Sequence, residues 1–335
     1  MSAGDSPETV DGAAGPFSAR LRLGPAATWV PQAILIGIIA IGIIVAIAIT
    51  PRFLTWPNTL AILRNTAIVG IVAVGMTPMT LSGSLVSLGV QQSAMASALT
   101  FIALLGDGWS QPVAMVLVIL LLCAIGAAQG LIVALGLNPV ITTLAAGAVI
   151  YGVAASWSDG QVLTVGAHVP SWGDSKIVGL PIEVFVFVLF TALVSVVVSR
   201  TVIGRQTVLT GANRATAGLS GISFLRVTVF AFAVFSVGVA IAGILYGAAF
   251  TEGNITAFPT LTVDAVAAVL VGGTAIQGGF GSPLRSAIGA LLIAIISNIM
   301  LLNDFTTGGR LATQGAVVTG VVVILQLLRR RSQMR

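Results

Sequence analysis

Little in this chain could do covalent chemistry. It has one cysteine, Cys123, inside an apolar run, and one histidine, His168. That rules out an internal disulfide, a thiolate metal cluster and any site that needs several imidazoles from this chain. The loop acids Asp107, Asp159, Asp174, Glu183, Glu252, Asp264 and Asp304 stand singly at the ends of apolar runs. General acid–base catalysis needs titratable groups that converge, and proton pumping needs an intramembrane relay of them. Neither pattern is visible. The only lysine, Lys176, sits in WGDSKI, and nothing matches the glycine-rich phosphate loop of a nucleotide site. Hydrogen-bonding chemistry is what remains. Ser82, Ser84, Ser87, Gln91, Gln92, Gln129 and Asn298 are neutral polar residues in apolar surroundings, suited either to contact with a polar solute on a translocation path or to interhelical hydrogen bonds.

A second polar feature is the stretch 200–226, with Arg200, Arg205, Arg214 and Arg226 and no acid. Inside it Asn213 is a candidate helix N-cap, the residues Arg214, Ala215, Thr216, Ala217, Gly218, Leu219 and Ser220 can form a short helix, and Gly221 can end it. One reading is a solvated basic loop held to anionic head groups. The other is the place where another protein takes hold, for which a short rigid helix suits a force-bearing contact. The outer-loop residues Trp157, Trp172, His168, Asp159 and Asp174 suit either interfacial anchoring or contact with a polar ligand or partner.

The elements that must position these residues are helices in a membrane. The chain is 57% hydrophobic and 7% charged, with mean hydropathy +1.08, whereas roughly a quarter of a soluble domain is charged. The expected fold class is therefore an all-α polytopic membrane protein. Residues 1–32, polar and rich in Gly, Pro, Ser and Ala, read as a disordered tail. The run 33–49 reads as an uncleaved first span. Further spans are expected at about 59–81, 84–105, 112–136, 138–156, 178–199, 226–249, 262–276, 284–302 and 311–328, about ten in all. Residues 33–328 form one transmembrane domain, 329–335 a basic tail. Small-residue runs such as GAAQG (126–130) and GILYG (243–247) read as helix-packing surfaces.

Counting basic residues with the amino terminus inside puts eleven on the inner side and Arg52, Arg64, Lys176 and Arg310 outside, so both termini are expected to be cytoplasmic. The net charge of +5 is then a topology signal, with no footprint for nucleic acid. Five spans per half has the parity of a 5+5 inverted repeat, and the segments 72–96 and 267–294 echo one another as helix, Gly/Ser-rich break, helix.

Four stretches carry a resemblance. VDAVAAVLVGGTAIQGGFGSPLRSAIGALLIAIISN (263–298) is similar to a segment of the permease subunits of ribose-type ABC sugar importers, and residues 58–77, 125–154 and 204–222 are similar to others in the same order. The resemblance spans about residues 50–328. It implies a bacterial inner-membrane permease that pairs with a second permease subunit, binds a two-site ABC ATPase carrying ATP and Mg, and receives sugar from a periplasmic or lipid-anchored binding protein. It implies no cofactor on this chain and no enzymatic activity of its own. The stretch 200–226 becomes the ATPase-coupling loop, and Asp264, Gly272, Gly273, Gly278, Gly279 and Gly281 belong to the strongest motif. Two positions depart from the pattern. Arg214 and Ala215 replace acids in the coupling helix, with Gly218 in place of a base, and Leu85 stands where relatives carry an aspartate. An ion- or proton-coupled secondary transporter and a permease for branched-chain amino acids are the alternatives.

Overall fold

The computed structural model describes residues 53–316 apart from 85, 166–171 and 174, together with 37, 50, 319, 320 and 323. The expected tail 1–32, the first span 33–49, most of the last span beyond 316 and the basic end 329–335 lie outside the described residues, as do Leu85, His168 and Asp174.

Ten named helices and a final helical stretch follow one another. They are α1 Trp56–Leu81, α2 Val90–Gly106, α3 Gln111–Ala134, α4 Pro139–Trp157, α5 Ile182–Arg200, α6 Val202–Ala212, α7 Arg214–Leu219, α8 Phe224–Phe250, α9 Leu261–Val271 and α10 Pro283–Leu302. Residues 307–316 form α11. Six of them, α1, α3, α4, α5, α8 and α10, are long and apolar enough to cross a membrane. Proline in the first two positions opens α1, α3, α4 and α10, where its missing N–H costs nothing. Asn138 caps α4 by accepting from the Val140 amide at 2.9 Å.

Helix α8 is the hub, packed against α3, α1 and α2, and α1 also meets α10, α5 and α9. From Thr66 to Leu81 almost every residue of α1 is buried. Helices α3, α4 and α5 keep most of their apolar surface exposed, as a lipid-facing layer should. The small-residue runs pack as expected. A side chain at Gly130 would meet Val229 and Phe232 of α8, and one at Gly247 would meet Phe101 and Ile102 of α2.

Two expected spans are cut short by breaks. The first span of that pair starts at Val90, with residues 82–84 and 86–89 non-helical, and α9 stops at Val271, followed by a break to Ser282. Hydropathy counts apolar residues without seeing the backbone, so the expected span bounds run partly into both breaks, which the Gly/Ser-rich echo of 72–96 and 267–294 marks. At 11 residues α9 is about 16 Å long, half the hydrocarbon thickness of about 30 Å.

The stretch 200–226, expected as a loop holding one short helix, also contains the 11-residue helix α6. Two small antiparallel ribbons gather the connections at one end. They are β1 Leu163–Thr164 with β4 Glu252–Gly253, and β2 Lys176–Ile177 with β3 Leu180–Pro181, the latter turning through Val178 and Gly179 at φ 53° and 81°.

Candidate functional site

At the end that carries the ribbons, α1, α8 and α9 part to leave a cavity of about 680 Å³. Its polar wall holds Arg64, Asn65, Lys176, Asn254, Thr256, Thr260 and Asp264. Its apolar wall is an aromatic cluster in which Tyr246 lies 4.6 Å from Phe250 and 4.5 Å from Phe258, centroid to centroid. Arg64 is anchored from behind by Glu183, in the first turn of α5, through a 2.8 Å ion pair; the Glu183 side chain is 1% exposed and that of Arg64 is 27% exposed. A guanidinium held by a buried carboxylate keeps a fixed direction without a net charge for the pair.

Asn65, Thr260 and Asp264 also line a second chamber of about 200 Å³, whose other walls include Ser297, Asn298, Arg310 and Gln314. Asp264 is 4% exposed, and it neither caps α9 through its side chain nor stands alone. Its carboxylate accepts from the Thr260 hydroxyl at 2.8 Å and from Gln314 Nε2 at 2.7 Å. Gln314 Nε2 donates to Ser297 Oγ at 2.6 Å as well. Below them Asn58 and Asn298 exchange amide hydrogen bonds of 3.0 and 2.7 Å. Deeper between α1 and α10, Thr77 donates to Ser286 at 2.8 Å, both residues fully buried. Apart from the Asp264 carboxylate, which is met by two donors, the groups in these hydrogen bonds are neutral, as suits a polar seam inside an apolar protein.

The far end is closed by backbone. The two breaks meet there: Gly279 N–H donates to Leu81 C=O at 2.9 Å, and a Cβ on Gly278 would lie 2.8 Å from Gly83 Cα and 2.9 Å from Gly211 Cα. A side chain on Gly211 of α6 would run into the Leu81 carbonyl and come within 2.6 Å of Gly279 N. Ser82 and Ser84, buried and hydrogen-bonded to each other at 3.0 Å, sit in this knot. So do the motif glycines, with Gly272 ending α9 and Gly273, Gly278 and Gly279 at φ 79°, 91° and 73°. A Cβ on Gly281 would run into the Thr274 side chain.

Helix α7 leans on the same end. Asn213 caps it, accepting from the Thr216 amide at 3.1 Å. Its other end is a Schellman turn: Gly221, at φ 76°, donates to Gly218 C=O and Ile222 N–H reaches Ala217 C=O, each at 3.0 Å. Arg214 lies 3.4 Å over the Phe224 ring, tying α7 to the start of α8. Ala217 is buried, whereas Leu219 is 92% exposed.

Of the residues singled out in sequence, Asn298 and Asp264 come together at the small chamber, and Ser82 and Ser84 lie in the glycine knot. Ser87 is buried, and Gln91 donates to Ala257 C=O at 3.5 Å. Gln129, buried, faces an apolar groove among α2, α3 and α4, away from the polar chambers. Asn58, Arg64, Glu183, Thr260, Arg310 and Gln314 were missed. Each looks like an ordinary loop or span-end residue in sequence, and partners 50 or 240 positions apart leave no local signal.

Membrane-length apolar helices around a polar seam define a multi-pass membrane protein. Comparison makes the class specific: residues 58–327 match the family described as branched-chain amino acid transport system / permease component, and the chain belongs to it. It is similar to the ribose import permease protein of Haemophilus influenzae, 31% identical over 299 residues covering 85% of this chain and 90% of that protein. The ribose import permease protein of Bacillus subtilis is 30% identical over 302 residues, 89% of this chain and 92% of the relative. An inner membrane ABC transporter permease protein of Escherichia coli is 32% identical over 282 residues, 79% and 82% of the two chains. No solved structure matches the chain.

Proposed function

We propose that this chain is the permease subunit of an ATP-binding-cassette importer that carries a ribose-like monosaccharide or related polyol across the bacterial inner membrane by alternating access. The carrying observation is a polar cavity with an aromatic wall, open where the ribbons lie and closed by the glycine knot at the end where α6 and α7 pack. Hydroxyl-rich solutes suit Arg64, Asn65, Thr260 and Asp264 on one wall, and their C–H faces suit Tyr246, Phe250 and Phe258 on the other. The names of the relatives point to a sugar.

In this reading the ribbon end faces outward and receives substrate from a periplasmic or lipid-anchored binding protein. Helix α7, residues Asn213 to Gly221, docks in a separate ATPase that carries ATP and Mg, and Leu219 enters its groove. Closure of two ATPase sites pulls α6–α7 and, through Gly211, moves the two breaks, with a second permease subunit forming the other half of the path. The eight apolar helices α1–α5 and α8–α10 together with 33–49 and 307–328 make ten spans in a 5+5 arrangement, with both termini cytoplasmic. Membrane lipid surrounds α3–α5.

The test is uptake in proteoliposomes holding the permease with its cognate ATPase and binding protein, over a panel of D-ribose, hexoses, polyols and leucine. ATP-driven uptake of a pentose or related sugar is expected. Selective uptake of leucine would contradict the sugar assignment; Arg64 and Asp264, which both line the cavity, are the charges that would suit such a zwitterion. A buried carboxylate at Asp264 would suit an ion-coupled carrier, which would transport alone along an ion gradient.

A further inference from the structure

We infer that Arg310 and Gln314, both on α11, form a hydroxyl-binding clasp in the small chamber through which substrate passes. The inference rests on the reading of the cavities as a sugar path. Four residues apart, the two side chains share one face of α11 and line the chamber with Asp264 and Asn298. The orientation of the Gln314 amide is fixed by its partners. A carboxylate only accepts, so the nitrogen must face Asp264 Oδ1, and the second N–H is spent on Ser297 Oγ. Oε1 is thereby left as an acceptor, and it has no hydrogen-bond partner among the described residues although Gln314 is 1% exposed. Arg310 Nε is likewise buried and without a hydrogen-bond partner among the described residues.

A buried acceptor or donor left unmet loses the hydrogen bond it would make in water, so both invite a ligand. One is an acceptor and the other a donor. A hydroxyl answers both demands, donating its hydrogen to Gln314 Oε1 and accepting from Arg310 Nε–H. A cation would answer only the oxygen and would face the arginine charge; an anion would answer only the nitrogen and would face Asp264. The ligand class is therefore a neutral polyhydroxy compound, with the chamber of about 200 Å³ holding the hydroxyl-bearing part of one sugar ring. A site built to pair with a hydroxyl rejects an analogue that lacks it far more strongly than an apolar pocket does. The clasp thus makes the permease itself selective, downstream of the binding protein.

The experiment compares uptake of tritiated D-ribose with its 2-deoxy and 3-deoxy analogues by the complete transporter in proteoliposomes, in the parent, Gln314→Leu and Arg310→Lys. Arg310→Lys keeps the charge beside Asp264 and removes Nε–H, so it carries the test if Gln314→Leu fails to assemble with the ATPase. The binding protein is the same throughout, so any change in the ribose-to-deoxyribose ratio belongs to the permease. We expect the maximal rate for ribose to fall at least tenfold and the ratio for one deoxy analogue to shrink at least fivefold. An unchanged ratio in an assembled variant, as for a chamber that holds only structural water, overturns the clasp. Absence of any sugar uptake by the parent contradicts the transport reading itself and removes the clasp with it.

Discussion

The ion pair of Arg64 and Glu183 shows how this protein tolerates charge beside an apolar core. Glu183 is 1% exposed, and removing Arg64 would take an ion-pair partner from a buried carboxylate. Such a loss costs about 3–5 kcal/mol, whereas replacing both members with apolar residues is often close to neutral. Arg64→Met should therefore lower the thermal unfolding midpoint of the detergent-purified protein markedly, and Arg64→Met with Glu183→Leu should recover most of it. Equal losses in the single and double variants would show that Arg64 matters for another reason. Asp264 is handled differently. Its oxygens are met by Thr260 and Gln314, so the chamber keeps a carboxylate whose surroundings are already ordered. Neither arrangement was legible in the sequence. Glu183 reads as a span-end acid and Gln314 as one more amide in an apolar run, because the partners arrive from distant helices.

Among the elements, α7 and the two breaks carry the account of coupling. The limits of α7 were readable from chemistry at three positions: an asparagine that caps, small residues that turn, and a glycine placed where a positive φ is needed. Proline at 217 would delete the hydrogen bond from Ala217 N–H to Asn213 C=O, and a valine at 221 would be forced into the left-handed region at a cost of about 1–2 kcal/mol. Either change should uncouple ATP hydrolysis from uptake while leaving membrane insertion intact, measured as sugar moved per ATP hydrolysed. Leu219→Glu should weaken capture of the ATPase at least tenfold in a co-purification titration, since a Leu 92% exposed has little to lose within this chain.

The glycine knot gives a sharper contrast. Gly211→Ala sets a methyl group against the Leu81 carbonyl and Gly279 amide, whereas a Cβ at Gly152 on α4 meets nothing within 4 Å. Uptake should fall tenfold or more for Gly211→Ala and stay within twofold for Gly152→Ala. Equal uptake would mean that the knot yields without consequence. The existence of α6 was hidden because its Thr- and Gly-containing stretch has few of the apolar repeats that mark a helix, and it packs on α5, α8 and α1. The breaks were visible as Gly/Ser-rich segments. Their meeting was not, since it joins residues about 200 positions apart through backbone alone.

Across the whole molecule, apolar runs revealed the helical membrane class of fold and the places of the six membrane-length helices among the described residues, since a membrane demands that backbone groups be paired within each helix. What the runs could not reveal was which helices are central. Burial picks out α1, α8 and α10, and leaves α3, α4 and α5 to the lipid-facing side, although all six are comparably apolar. The polar seam lies along α1 and α10 and ends at the knot beneath α6. That layout places the polar cavity at one end and α7 at the other, so in the proposed reading force applied at α7 has a route to the path through the breaks. The central claim is that this route is driven from outside the chain. The most direct measurement is sugar uptake by the permease in proteoliposomes with the binding protein present, with and without the cognate ATPase and ATP. Uptake that appears only with both the ATPase and ATP is the predicted result. Uptake by the permease alone, indifferent to ATP, would contradict it.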